Sequence, residues 1–145
     1  MSNLAQRLLT AFIAIPIVFV LLWFCDYSRI GLMCFLAGVG AWEWAGMVSK
    51  MYKGPDMRYL SFAASFALTL AWALASGGFF GLTAVPYVVG MTAMIVFGLY
   101  IAIAYAKVEI DHMFPWMVMH LAAPLYLGLW GGINVQMMGN GQGLE

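Results

Sequence analysis

Glu43 stands between two tryptophans in "GAWEWAGM" (40–47), and it is the one charged residue from 30 to 49. A carboxylate in hydrocarbon costs up to about 2.5–3.5 kcal/mol at the bilayer centre and less near the interface. It therefore needs a cation, water or a proton. Lys50 follows seven residues later, about 10 Å along a helix, which puts Glu43 on one leaflet's side of the midplane. Three chemistries stay open: a structural contact with Arg7 or with backbone, a solvated interfacial carboxylate, or a direct role at a substrate or ion site. Arg7 starts the first apolar stretch on the same side, and its long side chain can snorkel to that level. Trp42 and Trp44 suit the headgroup level, where an apolar ring with one N–H donor sits well.

Fewer chemical groups stand elsewhere. "EIDH" (109–112) gathers two carboxylates and an imidazole. A divalent cation could use them, but the spacing matches no strong metal motif, and a solvated loop accounts for it. His120 falls inside an apolar stretch, where a buried histidine hydrogen-bonded to a neighbouring helix is expected. Cys25 and Cys34 lie in or beside apolar runs and read as free thiols packed as small hydrophobes. No phosphate-cradling glycine loop, nucleophile elbow or cysteine–histidine metal cluster occurs.

The elements that must position these groups are membrane helices. Of 145 residues, 65% are hydrophobic and 8% charged, with mean hydropathy +0.93. Soluble domains carry about 25% charged residues, so an ordinary water-soluble globule is excluded. Net charge is zero, without the basic stripe that nucleic acid would require. Residues 8–25, 59–106 and 113–144 carry no charge, and about 18 apolar residues suffice to suggest a span. The expected fold is all-α, a polytopic membrane protein of about five helices at 4–25, 30–49, 59–76, 83–106 and 114–134. The first is read as a retained span, because its apolar stretch outruns the usual signal-peptide core. "DYSR" (26–29), 50–58, 76–81 and 107–113 are read as connections. Thr83 is the expected cap of the fourth helix, Pro115 opens the fifth, and the tail from 136 is read as loose.

Basic residues orient the bundle. Arg7, Lys50, Lys53, Arg58 and Lys107 fall on one side and Arg29 on the other, so the N-terminus is expected in the cytoplasm. Small residues recur every fourth position at Ala37–Ala41–Ala45, Ala63–Ala67–Ala71–Ala75 and Gly98–Ala102–Ala106. Such stripes let helix backbones approach in lipid, and they are read as contact faces.

Two stretches also resemble a family. "QRLLTAFIAIPIVFVLLWF" (6–24), with its arginine, alanine and proline, resembles the opening of the bacterial phosphatidate cytidylyltransferases (CDP-diglyceride synthases). "AWEWAGM" (41–47) resembles the element ending their second helix, and "APLYLGLW" (123–130) is weakly similar to a later apolar segment. The resemblance implies a multi-pass enzyme of the bacterial inner membrane. With Mg²⁺ it would join CTP to phosphatidate, a membrane lipid, giving CDP-diacylglycerol and pyrophosphate. It leaves a homodimer open. The family's acidic and basic catalytic signature does not occur here: no lysine or arginine follows Lys107, and no acid lies between Asp111 and Glu145. The chain is similar to the N-terminal half of such an enzyme and is expected to be inactive alone. No catalytic residue or metal ligand is assigned; Arg7, Trp42, Glu43 and Trp44 are structural or headgroup-level candidates. The alternative is a small non-enzymatic membrane protein, such as a transporter half or an assembly partner.

Overall fold

The computed structural model describes residues 12–18, 20–21, 26–76 and 84–139. The helical residues 12–18 and 20–21 belong to a first helix, α1. Four further helices follow: α2 (Asp26–Met51), α3 (Arg58–Ser76), α4 (Val85–Lys107) and α5 (Ile110–Gly139). Each of these four is long and apolar enough to cross a membrane. At 1.5 Å per residue α3 is about 28 Å long, close to the hydrocarbon thickness, whereas α5 reaches about 45 Å and must extend beyond it. Among the described residues there is no strand.

Several helices run further than hydropathy alone indicates. Asp26–Arg29 form the first turn of α2 rather than a connection, and α5 begins at Ile110, taking Asp111 and His112 into its first turn. At its other end α5 continues to Gly139, through residues read as loose tail. Hydropathy marks where lipid ends, and a helix goes on satisfying its own backbone past that level. Pro115 is consequently inside α5, as is Pro124. Neither can donate to the carbonyl four residues back, which loosens the helix near Asp111 and near His120. The N-cap of α4 is Ala84, with Pro86 in the first turn. Thr83, Arg7, Cys25 and the 77–83 turn lie outside the described residues.

Helix α3 is the centre of the bundle. It packs on α2, α4 and α5, while α2 and α4 have no contact with each other and flank the α3–α5 pair. Leu68, Thr69 and Trp72 of α3 meet Gly128, Gly131 and Gly132 of α5 in ascending order, so these two helices run parallel. Trp44 and Gly40 of α2 meet Met119 and Leu127 of α5 in opposite order, so that pair is antiparallel.

The alanine face expected on α2 is the observed one: Ala37, Ala41 and Ala45 are buried together with Cys34, a free thiol. On α3 the expectation holds only at one end: Ala63 and Ala67 are exposed, Ala71 is half-buried and Ala75 is buried, and the buried residues are Ser61, Ala64, Ser65, Leu68, Thr69, Ala73 and Ala75. Of the inward hydroxyls, those of Ser61 and Thr69 find partners on neighbouring helices, while Ser65 Oγ is buried without one among the described residues. Ser61 and Tyr100 of α4 share a hydrogen bond of 2.6 Å. The single Thr69 hydroxyl proton is shared between its own helix's Ser65 carbonyl at 3.0 Å and the Gly128 carbonyl of α5 at 3.2 Å. Gly98, Ala102 and Ala106 of α4 are exposed as well; its buried face is Val85, Val89, Val96, Tyr100 and Ala104.

Candidate functional site

The polar groups that could do chemistry gather where the chain turns between α2 and α3, close to the α4–α5 connection. Trp42, Glu43 and Trp44 are successive residues of α2, so their side chains leave the helix about 100° apart. Trp42 is half-buried and meets Tyr59 at the start of α3 edge-on, ring centroids 4.5 Å apart at 88°. Trp44 turns to the other neighbour and donates its indole N–H to the Met119 carbonyl of α5 at 2.8 Å. Met119 precedes the carbonyl that Pro124 leaves without an amide donor, in the loosened part of α5. The two tryptophans thus fix the rotation of α2, and Glu43 is left on the exposed surface between them. Among the described residues it makes no hydrogen bond or ion pair, and Arg7, its expected partner, lies outside them.

The turn itself is held by Asp56. One carboxylate oxygen accepts the Arg58 backbone N–H at 3.0 Å, an Asx-type turn two residues before α3 begins, and the other lies 3.5 Å from Arg58 Nε. The Arg58 guanidinium lies across Gly46 of α2, where an added Cβ would stand 3.0 Å from Nε. Gly54 sits directly on the Trp116 indole; a side chain there would collide with Nε1.

Beneath this turn, Trp116 and His120 are wholly buried. His120 is a buried histidine as expected, but it bonds within its own helix and not to a neighbour: Nδ1 donates to the Trp116 carbonyl at 2.9 Å. Its Nε2 and the Trp116 indole nitrogen have no hydrogen-bond partner among the described residues. Of the "EIDH" group, Glu109 sits in the short connection and Asp111 and His112 on the first turn of α5, all exposed.

No group of three His, Cys, Asp or Glu able to hold a metal ion occurs among the described residues. Asp56 is engaged with Arg58, and Glu43, Glu109 and Asp111 are exposed on three different segments, α2, the α4–α5 connection and α5. These carboxylates do not form the oxygen cage that Mg²⁺ requires, and no chemical step is assigned through it. Sequence reasoning missed Ser61, Tyr100, Thr69, Trp116 and the Trp72–Gln136 bond of 2.8 Å between α3 and α5. The four-residue recurrence of Ser61, Ser65 and Thr69 was the available signal.

Fold and site together define a polytopic α-helical membrane protein, with three helices tied together at one end by tryptophan, arginine and aspartate contacts. No family model, curated protein or solved structure matches the chain.

Proposed function

We propose that this chain is the N-terminal membrane portion of a phosphatidate cytidylyltransferase-type enzyme and serves it as a scaffold. The observation that carries the reading is the ordered pair of elements in the sequence: Arg7 with its apolar stretch, then Trp42-Glu43-Trp44 within the second apolar helix. The reaction of the complete enzyme would be attack of the phosphatidate phosphate on the α-phosphorus of CTP, releasing pyrophosphate. Such a transfer needs carboxylates for Mg²⁺ and cations for the phosphates. In this reading those groups belong to a second, family-type half, which these 145 residues do not supply. In this reading the membrane is a bacterial inner membrane, with the 50–58 turn and the N-terminus facing the cytoplasm, an orientation that the basic bias supports. Support from the geometry is that the Trp-Glu-Trp element locks α2 to both α3 and α5, as a scaffold element would.

The test is CTP- and Mg²⁺-dependent conversion of phosphatidate by purified protein, alone and co-expressed with a family-type C-terminal half. The chain alone is expected to equal a membrane blank, and the pair to turn over. Turnover by the isolated chain would overturn the scaffold role and make Glu43, Glu109 and Asp111 the residues to mutate first. A silent pair would favour the non-enzymatic alternative.

A further inference from the structure

Arg58 opens α3, and no charge follows it in that helix. A helix of 19 residues spans about 28 Å, close to the hydrocarbon thickness, so Arg58 stands at the level where lipid phosphates begin. Its guanidinium reaches sideways onto α2: an added Cβ at Gly46 would lie 3.0 Å from Nε, 3.2 Å from Cζ and 3.4 Å from Nη2. Nε is closed to solvent and has no hydrogen-bond partner among the described residues. Asp56, 3.5 Å from Nε, already has one oxygen engaged by the Arg58 backbone N–H. The Arg58 side chain is 36% exposed, so its charge lies in an open surface groove and not in a closed cavity. Lys50 is four residues after Gly46, on the same side of α2, and is exposed, with no ion pair among the described residues. Below these two cations the groove is aromatic. Trp42 meets Tyr59 edge-on at 4.5 Å, and one turn deeper Phe62 covers Gly38 and meets Phe35 edge-on at 6.5 Å. Tyr59 and Phe35 are exposed and Trp42 and Phe62 half-buried, so this edge is open along its length.

We infer that the outer α2–α3 groove binds one anionic phospholipid, its phosphate on Arg58 and Lys50 and an acyl chain along the Trp42–Tyr59–Phe62 edge. Charge complementarity at this depth selects the occupant: basic groups between membrane helices at headgroup level suit anionic headgroups. Arg58 offers a planar fork of donors matched to phosphate, and Lys50 a mobile point charge. A zwitterionic headgroup would bring its own ammonium against both cations, so a net anion is preferred. Glu43 lies seven residues before Lys50 on the same face of α2 and is exposed, about 10 Å deeper. It repels an anion from sinking further and holds the phosphate at the rim. A free phosphate would meet the cations alone, whereas a lipid also lays a chain on the rings beneath them. The inference does not rest on the proposed enzyme, because what is recognised is a lipid's net charge and not a reacting phosphate.

The experiment is native mass spectrometry of the full chain, delipidated in detergent and titrated with phosphatidylglycerol or with phosphatidylcholine of the same acyl chains. Cytidylyl transfer does not consume phosphatidylglycerol, so its binding and the enzyme assay can fail separately. One molecule should bind, at least about five-fold tighter than phosphatidylcholine. Arg58→Gln and Lys50→Gln should each weaken it about five-fold, the contribution of one basic residue near a membrane surface. Lys107→Gln removes an exposed charge at the same end of the bundle, but from α4, on the far side of α3, and should change nothing. Deacylated glycerophosphoglycerol should not displace the lipid. Equal binding of the two lipids, or equal losses at Lys50 and Lys107, would overturn the inference. So would displacement by the headgroup alone, or a lipid-free dimer that hides the groove. Should Arg58→Gln fail to fold, Lys50→Gln set against Lys107→Gln decides, since neither lysine has an ion pair to lose among the described residues.

Discussion

Replacing Gly132 by alanine tests the parallel α3–α5 contact on which the bundle rests. The new Cβ would lie 2.5 Å from both Cβ and Cγ of Trp72, where carbon atoms prefer about 3.5–4.0 Å. Neither Trp72 atom can swing clear, because Cβ moves only with the backbone and Cγ only with the whole indole. The helices must part by about 1 Å or the indole must leave its place. Overpacking of this kind costs about 1–3 kcal/mol. Displacing Trp72 also strains its bond to Gln136, and interhelical bonds in membranes average about 0.6 kcal/mol. Alanine returns up to about 1 kcal/mol of helix propensity, leaving a net loss of at least about 0.6–2.6 kcal/mol. Gly98→Ala is the matched control: nothing lies within 4 Å of its added Cβ, so the propensity gain is undiminished. The two variants should differ by at least about 1.6 kcal/mol, roughly fifteen-fold in the unfolding equilibrium. Far-ultraviolet circular dichroism during SDS titration of the protein in mixed micelles measures it. Equal stabilities would refute the close α3–α5 packing. A larger loss at Gly98 would instead restore the glycine–alanine face of α4 as a contact.

Other outcomes follow from the turn end of the bundle. A membrane-impermeant thiol reagent on intact cells should label a cysteine introduced at 77–81 and spare one introduced at 50–58; the reverse pattern would invert the orientation. Removing either Arg7 or Glu43 should lower accumulation of folded protein, with Glu43→Gln milder than Glu43→Leu. A double-mutant cycle should return coupling on the order of 1 kcal/mol, and coupling indistinguishable from zero would leave Glu43 as a solvated carboxylate.

The sequence by itself determined the class of protein and the approximate helix positions. The uncharged run bounded by Arg58 and Lys107 gave α3 and α4 to within two residues, because a charge at the edge of lipid is a sharp boundary. The ends of α2 and α5 were not legible in the same way. Polar residues such as Asp26, Asp111 and Gln136 extend those helices beyond the lipid limit, where hydropathy carries no signal. Trp42, Glu43 and Trp44 stood out as residue types, yet only the tertiary structure decided that the tryptophans grip two different helices and leave the carboxylate exposed. Alanine stripes occur on three helices, but periodicity cannot say which side of a helix faces a neighbour. On α2 the alanines were the closest-packing surface available and turned inward. On α3 a second stripe of the same period, Ser61, Ser65 and Thr69, took the interior over the first turns, and of the alanine stripe Ala75 is buried, at the far end. Helix association in lipid gains nothing from hiding apolar surface, so the face that finds hydrogen bonds and close backbone approach wins. That choice depends on what the neighbouring helix offers, here the Tyr100 hydroxyl and the Gly128 carbonyl, which no single segment of sequence contains.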